Sequence, residues 1–564
     1  MKADADPEMA ARDAAALARV LLQDGRADEA HAALEAVDET ALSERSLARV
    51  LFARLVTLNF GLGRTDAADA VFRQALRRLR DPALTSAFVA QHAYHLAMRG
   101  ECRRALDLLG PAGPGRSRGP AAAHPVAVAA RAIALTQLGR CRQAVALCES
   151  VLCESALRES ALSGTKPDET APNKPAPDAT VPNATVPNKP VQNQAAHNQM
   201  VADHTTPGGR ARTAPIPPDA RMALELARHS AGLLSGEAAR TRVLLAGFLN
   251  AETGGPCDAT RALLEVCLLQ AERLGGALHQ ATRRARRTLA PRSGAADAAT
   301  VAAAAETAHL AALRGDLAEA EEALAAARRA AFPATRLPGF WLDLARPWVI
   351  ALRDGPAAAT TAALTTAGRA RGAGLHAFEL LALHDAVRLA PPGSAPCHPA
   401  AARLGVIATV FEGDLAPVAA AHARAAATAD AAGLMAASRD LERIGMPLHA
   451  AEAAAQAADV LAAAGRDVAA RAPSARAWYL SLRCAGARTP ALARVREPRL
   501  TNREGQVACL AAGGLTSKRI AARLGMSVRT VDNHLRAVYT KLGISGRAEL
   551  AAIGMRPCQG GEGR

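Results

Sequence analysis

An apolar run that ends in glycine, with an alanine five residues further on, recurs along this 564-residue chain and constrains its fold more than any other feature. The phrase stands at Gly25 with Ala30, Gly63 with Ala68, Gly100 with Ala105 and Gly139 with Ala144, so successive glycines lie 38, 37 and 39 residues apart. It returns at Gly315 with Ala320 and at Gly465 with Ala470, while Gly413 keeps the glycine but has Val418 at the alanine position. Glycine takes the left-handed conformation that ends a helix, and a small residue in the next helix lets the two pack closely. A period of this length marks stacked helical pairs. Composition agrees, since 50% of the chain is hydrophobic but only 3% aromatic. The apolar half is mostly alanine and small aliphatic residues, and alanine is the best helix former, which argues against a sheet-rich fold. An all-α chain is expected.

One stretch cannot fold this way. Residues 161–219 hold eleven of the 33 prolines and three of the six lysines, repeat TVPN at Thr180–Asn183 and Thr185–Asn188, and lack aromatic residues. Such a composition buries too little apolar surface to order the chain. The expected organisation is a helical-repeat block over 1–160, a disordered Pro/Asn-rich linker over 161–218 and a second, sensor-like helical-repeat block over 219–484. A tether over 485–498 then leads to a C-terminal unit over 499–560. The glycine and alanine phrase resembles the tetratricopeptide repeat, with a longer period and most of that family's aromatic positions missing, so a tetratricopeptide-like solenoid is expected.

The segment from Leu500 to Leu550 carries the chemistry. Thr501 followed three residues later by Glu504 forms a capping box, Val507, Leu510 and Ala511 give the helix an apolar face, and Gly513-Gly514 stop it. A second helix is expected from Thr516 to Leu524, broken by Gly525. Ser527 is placed to cap a third, from Val528 to Leu542, with Val531, Leu535, Val538 and Leu542 inward. At 1.5 Å per residue this helix is about 21 Å long, enough to lie along a major groove. Gly543 is expected to end it and Ser545 to cap a fourth helix running through Met555. Two helices joined by a glycine turn, with small Ala521 four residues before Gly525, follow the helix-turn-helix design over 517–536. Ile520, Leu524, Met526 and Val531 fall on its buried positions. Arg529, Thr530, Asp532, Asn533, Arg536 and Lys541 fall outward, where they can donate to phosphates or meet base edges.

At these residues the sequence resembles the LuxR/GerE family of transcription regulators. The family's opening LTxRE stands as Leu500, Thr501, Arg503 and Glu504, and its G-L-[ST]-x-K-x-I-A-x-x-L as Gly514, Leu515, Thr516, Lys518, Ile520, Ala521 and Leu524. Ser527, Thr530, Val531 and His534 match S-x-x-T-V-x-x-H, and Lys541, Leu542, Gly543 and Arg547 match K-L-G-x-x-x-R. The resemblance implies a four-helix domain whose third helix enters the major groove of promoter DNA and whose fourth commonly supports dimerisation. It puts Asp532, Asn533 and Arg536 at bases or nearby phosphates, and Thr516, Ser517, Lys518, Arg529 and Thr530 near the backbone. Asn502 departs from the family's common proline, and Asp532 is acidic where several relatives carry lysine. The helical block ahead of this domain is similar to the sensor arm of the large LuxR-type (LAL) regulators. Those usually begin with an ATP-binding domain, whereas no G-x-x-x-x-G-K-[ST] phosphate cradle occurs here, as in a truncated or ATPase-less member.

Charge points the same way. Residues 499–564 carry eleven Lys and Arg against four Asp and Glu, a net +7, while the preceding 498 residues carry 57 against 49, or +8. The expected function is a sequence-specific DNA-binding regulator, an activator, with a helical arm that receives a signal. Its expected partners are double-stranded promoter DNA, a second copy of the chain on DNA, RNA polymerase and a protein or small-molecule effector. The rival reading is a helical-repeat interaction scaffold with minor DNA binding. No enzyme activity, cofactor or metal is expected: the ten cysteines form no C-x-x-C pair, no G-x-S-x-G elbow occurs, and Cys397-His398 stands alone. His534 is read as structural or DNA-adjacent, the run Arg283, Arg284, Arg286, Arg287 as a solvated face, and Trp341 and Trp348 as core. No signal peptide or membrane span is legible, so the expected location is cytoplasmic, on the nucleoid.

Overall fold

A computed structural model of the chain describes residues 6–23, 25–110, 124–163, 216–251, 258–290, 297–331, 336–484, 486–542 and 544–552. All regular structure among these residues is helical, with no strand among them. The expected linker lies almost wholly outside the described residues, which resume at 216 after helix Cys141–Ser163.

The helices come in pairs, and the glycine phrase is the hinge of many of them. Gly25, Gly63, Gly100, Gly139, Gly315 and Gly465 all have positive φ, between 63° and 87°. Ala30, Ala68, Ala105, Ala144 and Ala320 are completely buried five residues later, and Ala470 is 9% exposed. A larger side chain there would force the paired helices apart. The structure also reveals members of the series that depart from the full phrase. Gly236 and Gly276 make the same turn and are followed by buried Thr241 and Ala281, and Gly355 is followed by buried Thr360. Between Leu415–Ala427 and Ala431–Arg443 the left-handed position is filled by Ala429, at φ 49°. Gly413 is not a member. It joins helix Cys397–Ala408 to Leu415–Ala427, between two pairs, and has φ 107° because it lies against two earlier turns. Glu412 N–H donates to the Gly139 carbonyl at 2.7 Å, and Asp414 N–H donates to the Ser235 carbonyl at 2.8 Å.

Packing runs across the expected boundary between the two blocks. Helix Pro218–Ser235 rests on Pro125–Gln137 and Cys141–Ser163, and one hydrophobic core extends from Leu96 to Leu492. The segment expected as a tether is fixed along much of its length: Arg488 N–H donates to the Leu313 carbonyl at 2.7 Å, and Leu492 is buried in the arm. No helix among the described residues is long and apolar enough to cross a membrane. Cys102, Cys141, Cys148, Cys267, Cys397 and Cys484 are buried as small hydrophobes, but Cys153 is exposed and Cys509 half-buried. No metal-ligand cluster occurs among the described residues. In the arginine run, Arg284 binds Glu265 and Glu272 and Arg286 binds Glu319, so two of its four charges brace neighbouring helices.

The inner helices of successive pairs also carry a buried polar string. Arg388 donates to Asp385 and Glu452, both at 2.6 Å, and lies 4.3 Å from the Trp348 ring centre. Burial penalises its charge, yet Glu452 and Asp385 hold the guanidinium above its ordinary pKa. Arg273 pairs with Glu306 at 2.9 Å, which also accepts from Gln270. His384 and His422 share a hydrogen bond at 3.0 Å, and His422 meets Gln456 at 2.8 Å. Burial pushes the His422 and His92 rings down to about 4 and His95 to about 3, and holds His309, His384 and His449 well below the ordinary value.

Two outcomes follow for stability. The buried rings are neutral in the folded chain but take up protons on unfolding once pH falls below 6.5. Stability is therefore full above pH 6.5 and drains as pH falls toward 4, by up to about 1.4 kcal/mol per pH unit for each ring. Thermal midpoints should be flat from pH 8 to 7 and fall steeply below, with a shallower fall in His422→Gln. Gly25→Ala meets open space and costs only the left-handed backbone, about 1–2 kcal/mol. Gly413→Ala drives its methyl into the Ser235 backbone and should cost more than about 3 kcal/mol, measured by urea denaturation.

Candidate nucleic-acid interface

The C-terminal unit is built from caps and turns that fix four short helices. The Thr501 hydroxyl accepts from Glu504 N–H at 3.3 Å while the Glu504 carboxylate accepts from Thr501 N–H at 2.7 Å, closing the capping box on helix Asn502–Ala512. Thr516 caps helix Ser517–Leu524, which ends on left-handed Gly525. The Ser527 hydroxyl accepts from Thr530 N–H at 3.1 Å and starts helix Val528–Leu542. At the fourth helix, Arg547–Ala552, the roles are reversed: Glu549 reaches back and accepts from Ser545 N–H at 3.1 Å. Gly543 and the continuation to Met555 lie outside the described residues. Val507, Ile520, Val531, Leu535, Val538 and Leu542 form the shared core, with Ala521 at the close crossing and Leu524 and Met526 half-buried at its edge.

Burying that stripe turns the other face of the third helix outward. Arg529, Asp532, Asn533 and Arg536 are exposed, and Arg536 donates to the Asn533 side chain at 3.3 Å. Thr516, Lys518 and Thr530 are exposed at the first turns of the second and third helices, where unpaired backbone N–H groups favour anions. Thr530 also shares a hydrogen bond with Ser527 at 2.8 Å, so part of this set stabilises the helix start. Ser517 is half-buried and accepts from Arg547 at 3.1 Å. Lys541 stands apart from the other outward residues. Its ammonium donates to Glu504 at 2.7 Å and ties the third helix to the first. His534 is half-buried on the side away from Asn533 and Arg536.

Three side chains with structural roles here were given none by sequence reasoning. Arg547 also donates to the Leu515 carbonyl, bracing the fourth helix against the turn before the second. Its place in the K-L-G-x-x-x-R motif was the available signal. Trp478 and Tyr479, in the last arm helix Asp467–Leu482, pack on the domain's core, and that helix touches the third helix. Nothing in their spacing from the domain announced this contact.

A glycine-turned helix pair on a packed core, with a polar and basic face left open on its second member, defines a helix-turn-helix DNA-binding domain. Residues 498–553 match the GerE family, the bacterial regulatory proteins of the luxR family, so the chain carries a LuxR-type DNA-binding domain at its C-terminus. A protein of Aeromonas salmonicida, named for an HTH-type transcriptional regulator in the exeN 3' region, is 50% identical over 60 residues, 11% of this chain and 31% of that protein. Transcriptional regulatory protein UhpA of Escherichia coli (strain K12) is 48% identical over 60 residues, 11% of this chain and 31% of UhpA. Transcriptional regulatory protein YdfI of Bacillus subtilis (strain 168) is 45% identical over 60 residues, 11% of this chain and 28% of YdfI. The chain spans less than a third of the length of these curated relatives.

Burial alone would raise the Glu504 carboxyl, but hydrogen bonds from Lys541 and Thr501 hold it below its ordinary value. Its contribution is therefore present above the unfolded carboxyl's pKa and lost as pH falls through the lowered one. Glu504→Gln keeps the capping geometry and loses only the ion pair, for about 0.5–1 kcal/mol, whereas Glu504→Ala loses both, for about 1–2 kcal/mol. Hydrogen exchange of the 502–512 amides should rank the variants in that order, and Lys541→Met should match Glu504→Gln.

Proposed function

We propose that the chain is a sequence-specific DNA-binding transcription regulator, an activator, acting in the cytoplasm on nucleoid DNA. Residues 499–560 are its reading domain, and the helical pairs on either side of the 161–218 linker form a tetratricopeptide-like arm that receives a signal. The observation that carries this reading is the open face of Arg529, Asn533 and Arg536. It stays exposed while the arm helix Asp467–Leu482 occupies another side of the same domain. A helix of this length presents that row to one stretch of major groove, with Arg suited to guanine and Asn to adenine. Lys518, Arg529 and the caps at Thr516, Ser517 and Thr530 serve the phosphates, and Asp532 lies beside the base-reading pair. Two copies on a palindromic promoter, contacting RNA polymerase, complete the proposed assembly.

Fluorescence anisotropy with the full chain and promoter fragments tests this. Arg536→Ala or Asn533→Ala should cost about 1–3 kcal/mol on the preferred site and relax base preference there. Lys518→Ala should weaken all sequences alike and reduce the salt slope by about 1. Lys541→Met should affect stability more than sequence choice. Uniform effects from all of these would overturn the assignment of roles, and no salt-sensitive binding to any duplex would favour the interaction-scaffold reading.

A further inference from the structure

Two adjoining cavities lie inside the arm, away from the DNA-binding domain. The larger, about 100 Å³, opens between helices Pro125–Gln137, Pro218–Ser235, Asp258–Leu274 and Arg336–Arg353, with Leu233, Val266, Trp341 and Phe378 among its apolar walls. The smaller, about 40 Å³, shares Leu233, Leu234, Gln270 and Trp341 with it and reaches inward to Arg388 and His449. Trp341 thus lines a chamber in addition to packing in the core, and its ring meets Phe378 edge-on at 5.1 Å.

Three side chains on these walls, each at least nine-tenths buried, hold polar atoms with no hydrogen-bond partner among the described residues. They are Oε1 of Gln137 in the larger chamber, and Nε2 of His309 and Nδ1 of His449 in the smaller. Buried polar atoms are rarely left unpaired, because each one costs stability that a bound group recovers. The larger chamber far exceeds one water and, together with the smaller one beside it, comes close to the roughly 150 Å³ that holds benzene in an apolar cavity. The arginines beside the inner chamber already have carboxylate partners: Arg273 meets Glu306, and Arg388 meets Asp385 and Glu452. An added charge would find no free counterion there, while an orphan carbonyl oxygen on Gln137 calls for a donor.

We propose that this paired cavity is a binding site for a small neutral aromatic molecule that donates a hydrogen bond, phenol-like in class, with its ring against Trp341 and Phe378 and its donor toward Gln137. The proposal gives the signal-receiving arm a ligand and rests on that reading only for any effect on DNA. Binding itself is tested apart from DNA, by ¹⁹F NMR titration of the full chain with 4-fluorophenol. Saturable line broadening with a Kd at or below about 1 mM is expected. Gln137→Leu should weaken 4-fluorophenol about tenfold, the loss of one hydrogen bond, and leave fluorobenzene unchanged. Ser230 lines the larger chamber, so Ser230→Phe should fill it and abolish both signals while the thermal midpoint holds or rises. Should that variant unfold, the contrast between the two probes in Gln137→Leu still decides. No saturable binding of 4-fluorophenol, equal binding of 4-fluorobenzoate, or indifference to Gln137→Leu would overturn the proposal. An anisotropy assay of DNA binding with and without 4-fluorophenol then separates failure of the ligand site from failure of the regulatory reading, since each measurement stands without the other.

Discussion

Most helical pairs in the arm depend on one local constraint: a left-handed residue closes the first helix, and a buried residue five positions later seats the second against it. Gly139 and Gly276 show why the constraint is steric. At Gly276 an added methyl would sit 2.7 Å from the Cys484 sulfur and 2.9 Å from Pro447, and at Gly139 it would strike Phe411. Turns such as these are therefore the contact points between pairs far apart in the chain as well as the ends of helices. Close layers leave room for alanine and leucine but little for aromatic rings, which explains how a core running from Leu96 to Leu492 is assembled with so few of them.

This local rule was legible where it was written in its fullest form and illegible where a side chain changed it. Gly25, Gly63, Gly100 and Gly139 repeat glycine, a charged or polar residue and alanine, and the structure places all four at turns. Gly236 and Gly355 escape notice because threonine replaces alanine, and Gly276 because alanine follows it directly; the 429 turn has no glycine at all. Gly413 misleads in the other direction, since its left-handed backbone serves a contact between pairs and not the hinge within one. The reading domain was far more transparent. Its caps, turn and stripe are short-range features that one segment specifies alone, so the boundaries Val528 and Leu542 coincide with expectation. Lys541 was read as outward from its own helix, and only the partner Glu504, 37 residues away, gives it a structural role.

The least legible part is the polar string in the arm. In sequence, Arg388, Glu452, Asp385 and the histidines look like the solvated faces of alanine helices. They become internal because the superposed pairs bring their inner helices together from 64 residues apart in the case of Arg388 and Glu452. A buried ion pair of this kind contributes little net stability against an apolar replacement, since desolvation offsets its attraction. What it provides is register: Arg388 must find Asp385 on its own helix, Glu452 two pairs later and the Trp348 face at once. A stack of near-identical alanine surfaces has few other means of preventing one layer from sliding over the next.

The same logic bears on how the arm holds the C-terminal domain. The last arm helix carries Tyr479 and Trp478 into the edge of the C-terminal domain's core, and Arg476 on that helix and Arg483 just past its end both grip Glu442 of the preceding pair. The segment that follows is held to the arm through Arg488 and Leu492 instead of swinging freely. A domain on a loose tether would feel the arm only as a local concentration. Here the third helix, whose outer face carries Asn533 and Arg536, leans directly on an element whose position is set by the register of the stack. Trp478 and Tyr479 therefore fix how the third helix sits on the last pair of the stack.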